Sequence, residues 1–147
     1  MIQQFKITLN ATPEKVWKSL FEDKNYRDWT TAFTPGSWAD TDWKKGSKAL
    51  FLDSNNDSMS SIIEENIPNK FMSVKHIGAV EKGVEKMDRP EDNAWRGAHE
   101  NYTLKESNGK TELIVDLEMV GIDEKMIQYF KDTWPKALDK LKGIAER

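Results

Sequence analysis

Apolar and polar residues alternate along the start of the chain. Phe5, Ile7 and Leu9 fall on one side of an extended backbone, and the residues between them are polar. Alternation with a period of two is typical of a strand that buries one face. The pattern therefore predicts a half-buried strand over residues 2–10.

A helical pattern replaces this alternation after residue 10. Thr12 offers a hydroxyl that can cap a helix, and Pro13 fits the first helical position. Apolar residues then recur at helical spacing, at Val16, Trp17, Leu20 and Phe21. A second short helical turn is predicted over residues 24–29, with Tyr26 and Trp29 on its inner side.

The middle of the chain predicts several strands separated by turns. Residues 30–45 look irregular, with Trp38 and Trp43 as apolar anchors. Strands are predicted over residues 47–52, 59–67 and 71–78. Residues 80–93 are rich in charge and predict a long mobile loop, which we expect to border the mouth of any cavity below it.

The last hairpin gives the clearest local signal. Strands are predicted over residues 95–105 and 111–120, joined by a turn that contains Asn108 and Gly109. Asn-Gly is a strong hairpin signal because both residues tolerate positive φ.

An amphipathic helix is predicted over residues 123–147. Its apolar stripe consists of Met126, Ile127, Phe130, Trp134, Leu138, Leu141, Ile144 and Ala145. Pro135 lies inside this stretch and is expected to kink the helix or to divide it after Trp134. The order of a strand, two short helices, several antiparallel strands and a long helix predicts an α+β fold in one domain over residues 1–147.

Composition narrows the classes of function. The 147 residues carry a net charge of −3 with no basic stripe, which argues against a nucleic-acid or anionic-membrane partner, and no apolar run is long enough to predict membrane insertion. The chain has no cysteine, so disulfides and thiolate catalysis are excluded. Neither a signal peptide nor a membrane-length apolar run is evident, so a cytoplasmic protein is expected. We expect no cofactor, because the Gly-rich phosphate loop, the Gly-x-Ser-x-Gly elbow and the His-Glu-x-x-His motif are all missing.

Four stretches of the chain resemble the SRPBCC (START-like) superfamily, and within it the proteins related to the activator of heat-shock-protein-90 ATPase. They are residues 8–17, 26–29, 64–71 and 134–142. The resemblance implies a helix-grip fold, in which a curved antiparallel sheet wraps around a long C-terminal helix and leaves a cavity between them. Members of the superfamily bind or transform lipids, polyketides and hormones, or assist chaperones. A monomer or a weak homodimer is expected.

Glu100 and His76 are the candidate polar residues of this cavity. Ala98, Glu100, Tyr102 and Leu104 share one strand face, which predicts that Glu100 points inward beside Tyr102 as a possible donor. His76 lies on the preceding strand and is a possible cross-strand neighbour of Glu100, although alternation does not orient it. His99 and Glu100 are adjacent and face opposite sides, so no metal site is predicted.

Apolar candidates for the cavity wall are large and numerous. They are Trp29, Phe33, Trp38, Phe51, Trp95, Met126, Phe130 and Trp134. Each can instead pack in the core, since large aromatic residues are mostly buried.

Three functions follow from these observations. The first is a module that binds an apolar small molecule, with Glu100 and His76 at its polar end. The second is a chaperone-associated protein, and the third is a cavity enzyme that uses Glu100 and His76. The sequence offers no convincing catalytic motif, which favours the first.

Overall fold

The computed structural model describes residues 2–119, 121 and 123–147. Within these ranges the chain forms eight strands and three α-helices. In chain order they are β1 (Ile2–Leu9), α1 (Pro13–Phe21), α2 (Asp23–Trp29), β2 (Trp38–Asp40), β3 (Lys48–Leu52), β4 (Ser58–Ile67), β5 (Phe71–Glu81), β6 (Val84–Lys86), β7 (His99–Ser107), β8 (Lys110–Glu118) and α3 (Glu124–Ala145).

All the strands belong to one antiparallel sheet. Its order is β1-β8-β7-β5-β4-β3-β2, and β6 pairs with β5 beside this path. The sheet curves around α3, while α1 and α2 follow β1 and contact α3. The predicted α+β helix-grip architecture is confirmed.

Short-range signals in the sequence explain several of these elements. The Thr12 hydroxyl accepts a hydrogen bond from the Lys15 amide at 3.2 Å and caps α1. Ser107 pairs with Lys110, so Asn108 and Gly109 form a two-residue turn. Their φ angles of 54° and 79° are the positive values that such a turn requires.

Helix α3 buries a single stripe against the sheet. The buried residues are Thr133, Trp134, Ala137, Leu138, Leu141, Ile144 and Ala145. Asp123 caps its start by accepting the Met126 amide at 2.9 Å. The helix runs through Pro135 and is not divided after Trp134. Pro135 has no N–H to donate to the Lys131 carbonyl, and both residues lie on the exposed side of the helix.

Residues 80–93 form more structure than their composition predicts. Strand β5 continues to Glu81 and turns back into β6, with Lys82 and Gly83 at φ angles of 50° and 80°. A short 3-10 turn follows at Pro90–Asp92. The predicted long loop is therefore a hairpin and a turn.

Several strand ends differ from the predicted ones, and β2, like β6, was not predicted. Strand β7 begins at His99, because Trp95 lies in a turn in which its amide donates to the Asp92 carbonyl at 3.2 Å. Strand β8 ends at Glu118, and Val120, the predicted end of that strand, lies outside the described residues. The short β2 pairs with β3 in the segment predicted to be irregular.

Shortening the Leu141 side chain tests how much the fold depends on the packing of α3. Leu141 has no exposed surface, so Leu141→Ala removes buried methyl groups and leaves a cavity. We expect a loss of about 3 kcal/mol in the free energy of unfolding, measured by urea denaturation. The neighbouring exposed Lys140→Ala serves as the control and changes stability by about 0.5 kcal/mol or less. Equal losses in the two variants would contradict the packing described for α3.

Candidate functional site

A cavity of about 550 Å³ lies between the sheet and the first half of α3. Its walls come from three parts of the fold. Trp29 ends α2 and Phe33 lies shortly after it, while Met126, Phe130 and Trp134 come from α3. The sheet contributes Phe51, Ala79 and Leu117, and the residues next to β7 and β8 contribute Ala98 and Met119. Most of this lining is apolar, which is typical of sites for small organic molecules.

Aromatic contacts fix the helical side of the cavity. The Phe33 and Trp134 rings meet edge to face, with centroids 4.9 Å apart. Trp29 lies 6.0 Å from Trp134, and its indole N–H donates to the Leu20 carbonyl at 3.0 Å. These pairs hold the rings in defined positions. The helical wall is therefore built before any ligand arrives.

The His76 side chain lies on the face of the sheet that lines the cavity. Its backbone amide donates to the Ala98 carbonyl at 2.9 Å, which places it diagonally across from Glu100. Opposite β4, Ser60 pairs with Gly78 while Ser61 pairs with His76, so Ile77 is an extra residue in β5. This irregularity lets both His76 and Ala79 line the cavity.

A chain of polar side chains ends at Glu100. The Ser61 hydroxyl lies 2.7 Å from Nδ1 of His76, and Nε2 of His76 lies 3.5 Å from Oε1 of Glu100. The Tyr102 hydroxyl donates to Oε2 of Glu100. If the Ser61 hydroxyl donates to Nδ1, the Nε2 proton of His76 points at the carboxylate. Glu100 then faces one donor at each oxygen.

Two buried tyrosines surround this carboxylate. Burial raises the pKa of Tyr102 well above its usual value, and the negative charge of Glu100 raises it further. The pKa of Tyr26 is raised by the same causes in the same order. Both phenols therefore keep their protons at neutral pH, and Tyr102 acts as a hydrogen-bond donor to Glu100.

An ion-pair cluster borders the cavity near the end of β5. Arg89 donates through Nε and Nη2 to the buried Asp92 at 2.8 and 3.1 Å, and through Nη1 to Glu81. The hydrogen bonds that Arg89 donates to Asp92 are the main cause of the raised pKa of Arg89. Arg89, Asp92 and Trp95 all line the cavity. The second half of residues 80–93 thus borders it, as predicted.

Comparison with known protein families identifies the family of this chain. The model of the family described as Activator of Hsp90 ATPase homolog 1-like protein matches residues 10–146. The chain belongs to this family. No curated protein sequence matches it significantly. The resemblance carried by residues 8–17 and 134–142 is confirmed.

Solved structures of the same fold include proteins of several kinds. MLL2253 from Mesorhizobium loti is 16% identical with a TM-score of 0.74, covering 98% of this chain and 96% of that one. The Aha1 dimer from Colwellia psychrerythraea is 19% identical with a TM-score of 0.72, covering 99% and 96%. DynU16 of the dynemicin biosynthetic locus is 13% identical with a TM-score of 0.68, covering 96% of this chain and 45% of that one. At these identities the likeness shows the fold alone.

Most of the residues expected at the site meet in the cavity of this family member. Glu100, His76, Trp95 and the aromatic residues of α2 and α3 all line it. Tyr102 does not line the cavity, but its hydroxyl donates a hydrogen bond to Glu100. Trp38 is not among the lining residues. It lies on the edge strand β2, with the Arg27 guanidinium 5.2 Å above its ring.

Sequence reasoning missed Ser61, Arg89 and Asp92. Ser61 has no exposed surface although its strand reads as amphipathic, and only the pairing of β4 with β5 reveals its contact with His76. Arg89 and Asp92 lie in a segment whose charge is typical of a solvated loop. Their spacing of three residues was the available signal.

No group of three or more metal-ligating side chains occurs among residues 2–119, 121 and 123–147. His99 instead lies 2.8 Å from the Glu64 carboxylate. No helix in the same ranges is long and apolar enough to cross a membrane.

The raised tyrosine pKa values of this family member predict a loss of stability at alkaline pH. An unfolded tyrosine ionises near pH 10, whereas Tyr102 and Tyr26 keep their protons in the folded state. The stability contributed by the neutral phenols is therefore fully present below pH 10 and falls as the pH rises above it. Tyr102→Phe should flatten this decline in urea denaturation between neutral and alkaline pH. Tyr129→Phe, on the exposed face of α3, is the control, and an equal decline in wild type and Tyr102→Phe would contradict the assignment.

Proposed function

We propose that this chain binds an apolar small molecule of the lipid, hormone or polyketide class between the sheet and α3. The observation that carries the proposal is a largely apolar cavity of about 550 Å³ whose wall includes the Glu100 carboxylate, which accepts a hydrogen bond from Tyr102. Ligand cavities are typically of this size and composition, with a few polar groups that fix orientation. A fold shared with DynU16 of a biosynthetic locus is in keeping with such a role.

The proposed contacts divide by chemistry. The ligand body lies against Trp29, Phe33, Phe51, Trp95, Met126, Phe130 and Trp134, and its polar end lies at Glu100 and His76. Tyr102 acts through Glu100. We assign binding rather than turnover because the hydroxyl next to His76, that of Ser61, has no exposed surface and does not line the cavity, so it cannot reach a ligand as a nucleophile.

A thermal-shift screen tests the proposal with fatty acids, sterols and aromatic polyketide-like compounds. A ligand at a hundred times its Kd stabilises the folded state by about 2.7 kcal/mol, which raises Tm by roughly 5–10 °C for a chain of this size. We expect at least one class to raise Tm in a saturable way. If none does, the chain does not bind these classes and the proposal fails.

A cavity-filling variant shows whether such a ligand binds in this cavity. Ala79 is buried and lines the cavity, so Ala79→Phe places a ring inside it. The matched control is Ala94→Phe at an exposed position outside the lining. The ligand-induced rise in Tm should disappear in Ala79→Phe and persist in Ala94→Phe. A rise that survives in both variants would place the ligand elsewhere.

The family match favours a second function, in association with a chaperone. The family is described by activation of the Hsp90 ATPase, and one related solved structure is an Aha1 dimer. A pull-down with heat-shock protein 90, together with its ATPase rate, separates this function from ligand binding. If the chain neither binds heat-shock protein 90 nor changes its ATPase rate, this function is excluded. The dimeric relative also supports weak self-association of this chain, which sedimentation velocity measures.

A further inference from the structure

The Glu100 carboxylate has hydrogen-bond acceptor positions that no protein group occupies. A carboxylate offers about four acceptor positions, and the groups that face Glu100 from its surroundings are the Tyr102 hydroxyl and Nε2 of His76. The side chain lines the cavity and keeps 21% of its surface exposed. Its remaining acceptor positions are therefore open to a molecule in the cavity.

The positive groups of the lining are already engaged by carboxylates. Among the described lining residues, Arg89, His76 and His99 are the ones that can carry positive charge. Arg89 binds Asp92 and Glu81 through all three guanidinium nitrogens. His99 lies 2.8 Å from Glu64, and His76 lies between Ser61 and Glu100.

Helix α3, which covers the cavity, offers little further positive charge to an anionic ligand. The positive end of α3 lies near Met126, but the Asp123 carboxylate accepts the Met126 amide there, and Glu124 adds a second negative charge. An anionic ligand would therefore have to displace a protein carboxylate. It would also meet Glu100 across an apolar space, where like charges repel more strongly than in water.

From these contacts we propose that the ligand presents a hydrogen-bond donor, a hydroxyl or an ammonium, to the Glu100 carboxylate, and that carboxylic acids are excluded. This inference rests on the proposed function and narrows its ligand class. A donor restores the hydrogen bond that Glu100 loses when the ligand expels water. A purely apolar ligand leaves an oxygen lone pair of Glu100 without a donor. A carboxylic acid, ionised at neutral pH, adds repulsion between its own carboxylate and that of Glu100. The Tyr102 hydroxyl donates to Glu100 and does not line the cavity, so it does not compete with Glu100 as an acceptor for the ligand.

A matched series of four-ring aromatic probes tests the inference at neutral pH. The probes are 1-hydroxypyrene, 1-aminomethylpyrene, 1-methylpyrene and pyrene-1-carboxylate, titrated by fluorescence. They share one body and differ in the group offered to Glu100. We expect the hydroxyl and the ammonium to bind roughly tenfold or more tightly than the methyl compound, in line with a hydrogen bond to a charged group. The carboxylate should bind most weakly.

Glu100→Gln assigns this selectivity to one side chain. The amide keeps the shape and one acceptor but removes the charge, so the ammonium should lose most of its advantage and the carboxylate should gain affinity. Glu106→Gln, at an exposed position of the same strand, is the matched control and should leave all four affinities unchanged. Circular dichroism checks that both variants are folded. The wild-type ranking tests the inference by itself if Glu100→Gln does not fold.

The outcomes separate this inference from the proposed function. If the four probes bind equally, or the carboxylate binds most tightly, the donor inference is overturned while ligand binding stands. If the ranking is as expected but identical in folded Glu100→Gln, the assignment to Glu100 is overturned. If no probe binds and the thermal-shift screen is also empty, both proposals fail.

Discussion

The packing of one half of α3 against the sheet is the interaction on which the rest of the structure depends. The buried residues of this helix run from Thr133 to Ala145, whereas Met126 and Tyr129 in its first half remain about 40% exposed. The sheet therefore grips the helix at one end. The first half is more exposed but still touches the sheet, since Gln3 of β1 donates to the Ile127 carbonyl at 3.3 Å, and the cavity lies between this half and the other strands. Fold stability and ligand space thus come from the same helix but from different turns of it.

This division explains why the polar residues collect where they do. The part of the sheet that carries Glu100 faces the cavity, so the carboxylate there does not have to be buried in a close-packed core. Glu100 occupies this place and is supported from behind by Tyr102 and from the side by His76. A buried charge is tolerated only when it is hydrogen-bonded. Its support also holds it in a fixed orientation for a ligand.

Local signals in the sequence predicted most of the fold. The Thr12 cap, the Asn108-Gly109 turn and the apolar stripe of α3 each depend on residues close together in the chain, and each is present. The inward face of β7 was also predicted from alternation alone. His76 was different, because an extra residue in β5 interrupts alternation and only pairing with β4 orients its side chain.

Non-local contacts account for the rest of the candidate site. Ser61 reaches His76 across the sheet, and Arg89 joins Glu81 to Asp92 across the hairpin that replaces the predicted loop. No periodicity within one segment encodes such contacts. Trp38 shows the opposite error, since a large aromatic residue in an irregular segment looked like a cavity wall but lies at the sheet edge under Arg27.

A crystal structure of the chain with 1-hydroxypyrene tests the central claim most directly, because it shows where the ligand lies and which atom meets Glu100. The account predicts ring density between Trp29, Phe130 and Trp134, with the hydroxyl oxygen within hydrogen-bond distance of a Glu100 carboxylate oxygen. Density outside the cavity, or a hydroxyl that points to the mouth near Arg89, would contradict it.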